Sequence, residues 1–490
     1  MKASIKDFEI MAPVGSRESL AAAIQAGADS IYFGIESLNM RARSASTFTV
    51  NDLREIAQIC DKHGIKSYLT INTIIYDEDI ALMKDMGFNF YRFSICWSRI
   101  IPDGTLDEPV NEEGIKFYSD LIDKLIAAGI EPMITLVHFD MPYKLVKEHN
   151  GFASRYVVDC FERYARVCIE RFGNRVKHWM SFNEQNLHGM MLRVSNAEEI
   201  PEGVDPAKHL YQVNHNVFIA HCKAVKALRE LQPDAQFCGM NAVTNIYPYS
   251  NTPKNNLFAW KAYQYMNGFH CDVFAKGKYP DYMIAYLENR GWMPTFEEGD
   301  DELLKYTVDY IAFSYYRSNT VTEGEFDYTR PYHEVVGEHT VKNPHCEANE
   351  WGWEIDPVGF RWTLNDLATR SDLPVFVLEN GIGWREDMTQ EEVDTMLAAN
   401  KTIEDDYRIN YHRDHIKEMK NAMFEEGVKC LGYITWGPID ILASMCNMDK
   451  RYGFVYVNRT NKDIRDLKRI PKKSYHWVKK AFESNGEDLD

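Results

Sequence analysis

Several apolar runs in this chain end in polar residues, and two of them end in a glutamate. Glu184 closes KHWMSFNE, and Glu379 stands near the end of VFVLENG. In a parallel barrel the C-terminal strand ends converge on one face, so the two carboxylates could meet across a pocket. Glycoside hydrolysis needs such a pair. One carboxyl protonates the leaving oxygen, and the other attacks the anomeric carbon or activates a water. Each glutamate alone has a plainer reading, because Asn-Glu can start a helix and Glu-Asn-Gly makes a good turn.

The elements that must position them alternate between short β-branched runs and amphipathic helices, which predicts a parallel α/β fold. The strand candidates are FEIMAP, SIYFGI, KSYLTINTII, FNFYRFSI, EPMITLVH, KHWMSFN, QFCGMNAV, VDYIAFSYY, LPVFVLEN and CLGYITW. A (β/α)8 TIM barrel uses eight strands, so this set is too long, and the excess lies at the front. Helical spacing is clear in VNDLREIAQICDKHG, where Leu53, Ile56, Ala57 and Cys60 share a face between Thr49 as N-cap and Gly64. Tyr118, Leu121, Ile122 and Leu125 form a second stripe, and Phe161, Tyr164 and Cys168 a third. Residues 321–352 read as a long polar loop.

A net charge of −18 repels nucleic acid and anionic lipid, so neither is expected as a partner. It also repels a phosphorylated substrate unless local cations reverse the field. MKASIKDFEI has no apolar core of signal-peptide length, and no run approaches membrane-spanning length. The ten cysteines form no CxxC pair or zinc-like cluster. Reduced thiols in a cytoplasmic protein without a metal are the expectation.

From IALMKDMGFNFYRFSICWSRIIPDG onward the chain resembles glycoside hydrolase family 1. ITLVHFDMP, KHWMSFNEQN, IAFSYY, EWGWEIDPVGF, VLENGIG, ITWGPIDIL and KRYGFVYVNR carry the likeness in the family's order and spacing. The resemblance implies that Glu184 is the acid/base and Glu379 the nucleophile of a retaining double displacement that needs no cofactor. It implies that Arg92 and Tyr316 hold Glu379, and that Asn183 and His138 bond sugar hydroxyls. Trp436 would lie beneath the glycone, and Trp353 would wall the leaving-group subsite. The plainer readings are a structural ion pair for Arg92, a satisfied core residue for His138, and core packing for the tryptophans.

The resemblance is narrower at ILASMCNMDKRYGF. Family members acting on non-phosphorylated sugars usually carry Glu-Trp where this chain has Ala443 and Ser444. A carboxylate there would repel a sugar phosphate. Ser444, Lys450 and Tyr452 resemble the phosphate loop of the 6-phospho-β-glucosidase subgroup, in which a hydroxyl, an ammonium and a phenol surround the phosphate. The plainer alternative is a surface hairpin with incidental Lys and Tyr. Ser444 in place of tryptophan leans toward glucose over galactose.

Residues 1–79 do not resemble the start of that family, and no A-x-x-Q-x-E-G segment is present. MAPVGSRESLAAAIQAGADSIYFGIESLNMRARS instead resembles the start of the peptidase U32 family, without that family's cysteine-rich signature. The expected organisation is therefore a chimera. A U32-like β-α-β-α segment over 1–79 replaces or precedes the first part of a barrel over 80–490. Loss of the family's sugar-binding Gln would remove roughly 2–4 kcal/mol of transition-state binding.

The leading expectation is a cytoplasmic 6-phospho-β-glucosidase acting on a phosphorylated disaccharide or β-glucoside. Its oligomeric state is open, with a homo-oligomer among the choices. The alternatives are a catalytically impaired phospho-sugar-binding remnant, or a U32-type protein linked to peptides or RNA modification.

Overall fold

The computed structural model describes residues 11–14, 16–33, 52–69, 77–326, 329–386, 388–443 and 447–490. The chain divides into two compact units, Met1–Ala81 and Leu82–Asp490.

In the first unit β1 (Met11–Pro13), β2 (Ser30–Phe33) and β3 (Lys66–Leu69) form a parallel sheet in that order. Parallel neighbours require crossovers, which helices Arg17–Gln25 and Asp52–Lys62 supply. Ser16 caps the first helix by accepting the Ser19 amide, and the Ser19 hydroxyl accepts the Ser16 amide in return. Val14, Leu20, Ala23, Ala28, Ile31, Ile56 and Cys60 form this unit's core. The proposed Thr49 cap lies outside the described residues.

The second unit carries β4 (Phe90–Ser94), β5 (Glu131–Val137), β6 (His178–Phe182), β7 (Gln236–Pro248), β8 (Tyr310–Val321) and β9 (Thr340–Val341). It continues through β10 (Val375–Asn380), β11 (Trp384–Arg385), β12 (Cys430–Thr435), β13 (Lys450–Arg451), β14 (Val455–Val457) and β15 (Arg469–Pro471). Seven strands follow one path, β4-β5-β6-β7-β8-β10-β12, and every neighbouring pair is parallel. Helices Glu112–Ala127, Arg155–Phe172, Pro206–Leu231, Pro357–Ser371 and Asp406–Phe424 lie between successive strands. That is the connectivity of a (β/α)8 barrel. Buried on both faces, the strands read as nearly unbroken apolar runs, and β5 is buried at every position after Glu131.

The expected loop over 321–352 is corrected by a helix, Tyr332–His339, that leads into β9. Tyr332, Val335 and Val336 are buried at i, i+3 and i+4, so a short apolar stripe overrides the polar surroundings.

The inner faces of the strands meet in a cluster of Met133, Met180, Cys238, Met240, Tyr310, Ala312, Phe376 and Leu378. This packed layer is the floor of the site. Along β8 the alternation Tyr310, Ala312, Ser314, Tyr316 runs from that floor into the polar region above it. On β10 the register with β8 jumps from Val377↔Phe313 to Glu379↔Ser314. One extra residue therefore lets Leu378 fill the floor while Glu379 also faces inward.

Candidate active site

Glu379 is almost fully buried at the end of β10, with 4% exposure. Burying a carboxylate without partners is costly, and here two donors meet it. Arg92 Nη1 donates to Oε1 at 2.6 Å, and the Tyr316 hydroxyl donates to Oε2 at 2.9 Å. The Arg92 guanidinium is itself fixed on all sides. Nε donates to Thr135 Oγ1 at 2.9 Å and Nη2 to Asn183 Oδ1 at 2.5 Å. One planar group thus joins the ends of β4, β5, β6 and β10.

Glu184 follows β6 in the left-handed region, with φ 45° and ψ 55°. A non-glycine residue there carries strain that a surrounding structure must hold, and such positions cluster at functional sites. Ser314 Oγ donates to Glu184 Oε1 at 2.5 Å. Ser314 is also the register partner of Glu379 in the pairing of β8 with β10. Burial and then the charge of Glu379 push the Glu184 carboxyl up to about 7, against the opposing pull of Ser314 and Arg92. The site therefore holds one carboxylate kept in place by donors and one carboxyl that keeps its proton to neutrality.

His138 follows β5, with its ring centroid 5.9 Å from that of Trp436. Burial, and then Arg92, pull this imidazole down to about 3, so it is neutral at ordinary pH and can both donate and accept. Asp140 Oδ1 accepts the His138 amide and its Oδ2 accepts the Trp97 amide, which fixes the turn after β5. Trp353 stands 5.8 Å from Tyr316, centroid to centroid.

Lys450 Nζ lies 3.4 Å from the Trp353 ring centroid, 5.2 Å from that of Trp351 and 5.6 Å from that of Tyr452. Burial, and then the Arg317 charge, pull its ammonium down to about 8. Tyr452 is buried close to Glu379, and burial raises its phenol well above the usual range. Pairing of β11 with β13, Trp384↔Arg451 and Arg385↔Lys450, ties this segment to the chain leaving Glu379. Gly383 permits the close approach. A Cβ there would stand 2.6 Å from Lys450 Cε and 2.9 Å from Tyr452 Cζ.

Behind the segment lies a buried charge cluster. Arg408 donates to the Tyr452 and Ile382 carbonyls and to Asp405 and Glu386. Lys472 bridges Glu386 and Asp440, and Arg451 donates to Asp440 and to the Val457 carbonyl. Asp440 also accepts the Gly453 amide. Every charge in the cluster has a partner of opposite sign, as burial demands.

Residues 39–487 match the family model "Glycosyl hydrolase family 1". The chain belongs to this family. It is 42% identical over 416 residues to aryl-phospho-beta-D-glucosidase BglH of Bacillus subtilis, covering 84% of this chain and 86% of that protein. It is 41% identical over 420 residues to 6-phospho-beta-glucosidase AscB of Escherichia coli, covering 85% of each. The structure of a beta-glucosidase from Thermotoga maritima in complex with glucoimidazole superposes with a TM-score of 0.71 at 29% identity. It covers 84% of this chain and 86% of that one. The fold is thus the family 1 barrel. The family match begins at residue 39, earlier than the boundary near 80 expected from the sequence.

Three residues bordering this site were not singled out from the sequence. Ser314 lies two positions before Tyr316 on the same strand face, a period-two signal that was available. Thr135 stands in β5 opposite Ser94, and the long Arg92 side chain reaches it from two residues away. Arg317 is the third. Ser444 lies outside the described residues, while Ala443 is buried beside it, with its amide donating to the Asn447 carbonyl. No helix of the described residues is long and apolar enough to cross a membrane. Among the described residues no group of three or more His, Cys, Asp or Glu is arranged to hold a metal, and all nine cysteines are free.

Proposed function

We propose that this family 1 chain hydrolyses 6-phospho-β-D-glucosides with retention of configuration. The observation that carries the reading is the unequal carboxyl pair, Glu379 held by Arg92 and Tyr316 and Glu184 by Ser314 alone, with Lys450 within reach of the same pocket. Glu379, held by Arg92 and Tyr316, attacks the anomeric carbon. Glu184 gives its proton to the departing glycosidic oxygen, leaving a glycosyl ester on Glu379. Glu184, now a carboxylate, takes a proton from water as the water attacks the same carbon and frees Glu379. Double displacement asks for carboxyls about 5–5.5 Å apart, and the charge of Glu379 acting on the Glu184 carboxyl supports a close pair. Asn183 and His138 receive the sugar hydroxyls, Trp436 lies against the sugar and Trp353 against the leaving group.

Lys450 and Tyr452, with Ser444, receive the phosphate. The names of the relatives support this, as does the absence of a carboxylate at Ala443. The substrate is a phosphorylated disaccharide or β-glucoside in the cytoplasm. Residues 1–79 are inferred to be a segment of separate origin resembling the start of the U32 family. Their own parallel sheet and the relatives' coverage of 84–85% of the chain support that inference.

The test compares hydrolysis of a chromogenic β-glucoside with its 6-phosphate. Strong preference for the phosphate is expected, and equal rates would remove the phosphate loop from the proposal. Glu184→Gln separates an enzyme from a sugar-binding remnant, because only the enzyme loses leaving-group protonation.

A further inference from the structure

The register of β7 with β8 breaks where the site begins. Val243 faces Tyr315, but Asn245 faces Ser318. Two residues of β8, Tyr316 and Arg317, therefore oppose one residue of β7. A bulge of this kind re-aims a side chain that strict alternation would send to the other face. Tyr316 turns to Glu379, and the Arg317 guanidinium carbon lies 5.4 Å from the Trp353 ring centroid. The same indole carries Lys450, so two like charges share one aromatic ring. Burial lowers Arg317, and burial followed by the Arg317 charge lowers Lys450.

Neither cation has a carboxylate within ion-pair range or any hydrogen-bond acceptor among the described residues. The acid nearest in electrostatic effect is Glu354, and its oxygens are taken by the Asn343 amide and the Ser318 hydroxyl. In a chain of net charge −18, two half-buried cations left beside each other without a counter-charge point to an anion from outside. One lysine neutralises half of a phosphate dianion, whereas a lysine and an arginine match it.

We propose that Arg317 is a specificity-determining residue that shares the substrate's 6-phosphate with Lys450. The assignment rests on the phospho-glucoside reading above and adds a contact to it.

The test uses the full chain with p-nitrophenyl β-D-glucoside and its 6-phosphate. In Arg317→Met the ratio of kcat/KM for phosphorylated over plain substrate falls about 10- to 100-fold, the size of one charge-assisted bond, with the loss in KM. Arg317→Lys recovers part of it, which a merely structural role would not produce. Competitive inhibition by inorganic phosphate weakens in parallel, and Arg317→Gln serves should the methionine variant fold poorly. An unchanged ratio in these variants, while the parent chain still prefers the phosphate, overturns this assignment alone. An effect that follows the leaving group rather than the phosphate overturns it too. No phosphate preference in the parent chain removes the phosphate reading and the assignment together.

Discussion

The ends of β6 and β10 each present a glutamate to the same small space, and the protein treats them oppositely. Glu379 receives a guanidinium and a phenol. Glu184 receives a single serine hydroxyl and faces a neighbouring carboxylate. Two identical side chains are thereby divided into one charged and one protonated group. They differ in the number and charge of their donors, and burial beside the Glu379 charge keeps the proton on Glu184. The general lesson is that acid and nucleophile are assigned by surroundings.

The contrast can be broken most severely at Glu379. Glu379→Gln removes the attacking oxygen, and kcat on the phosphorylated glucoside should fall on the order of 10⁴-fold or more, measured in steady state. A loss under tenfold would mean another group attacks. Glu184→Gln should cost about 10²–10⁴-fold with poor leaving groups and far less in the first step with nitrophenol, which needs no proton. Equal losses on both leaving groups would place the acid elsewhere. Next comes the pH profile. Because Glu184 must be protonated and titrates at about 7, kcat/KM should decline as pH rises through about 7. A profile flat to pH 9 contradicts that assignment. The smallest effect is on stability. Glu184 keeps its proton to about 7 when folded and to about its ordinary value of 4.5 when unfolded. The folded state binds more protons between those values, so this group's contribution to stability is lost as pH rises through them. The melting temperature of Glu184→Gln should therefore gain on the parent between pH 5 and pH 8, and a pH-independent difference would argue against the raised value.

Much of this arrangement was legible beforehand because it is periodic. Each of the ten apolar runs falls on one of β1–β8, β10 and β12, with β7 and β8 continuing past theirs, and the two glutamates stood out as polar ends of such runs. Legibility failed where periodicity failed. Arg317 lies in a bulge, so alternation assigns it to the wrong face. The helix Tyr332–His339 was hidden because three apolar residues in a polar stretch make a weak stripe. The charged residues Glu386, Asp405, Arg408, Asp440, Arg451 and Lys472 read individually as surface, and only the fold reveals that they face one another.

That cluster has a consequence for anyone who would transplant phosphate recognition into another barrel. The strip from Lys450 to Tyr452 is short and tempting to graft, yet Arg408 on its backbone and Asp440 on Arg451 tie it to ions drawn from four other stretches of chain. Moved alone, the strip would arrive with Arg451 stripped of Asp440. A recipient would then have to bury an orphaned guanidinium, at a penalty of about 3–5 kcal/mol. Recognition here is portable only with its hidden counter-ions, including those around Lys472 near the far end of the polypeptide.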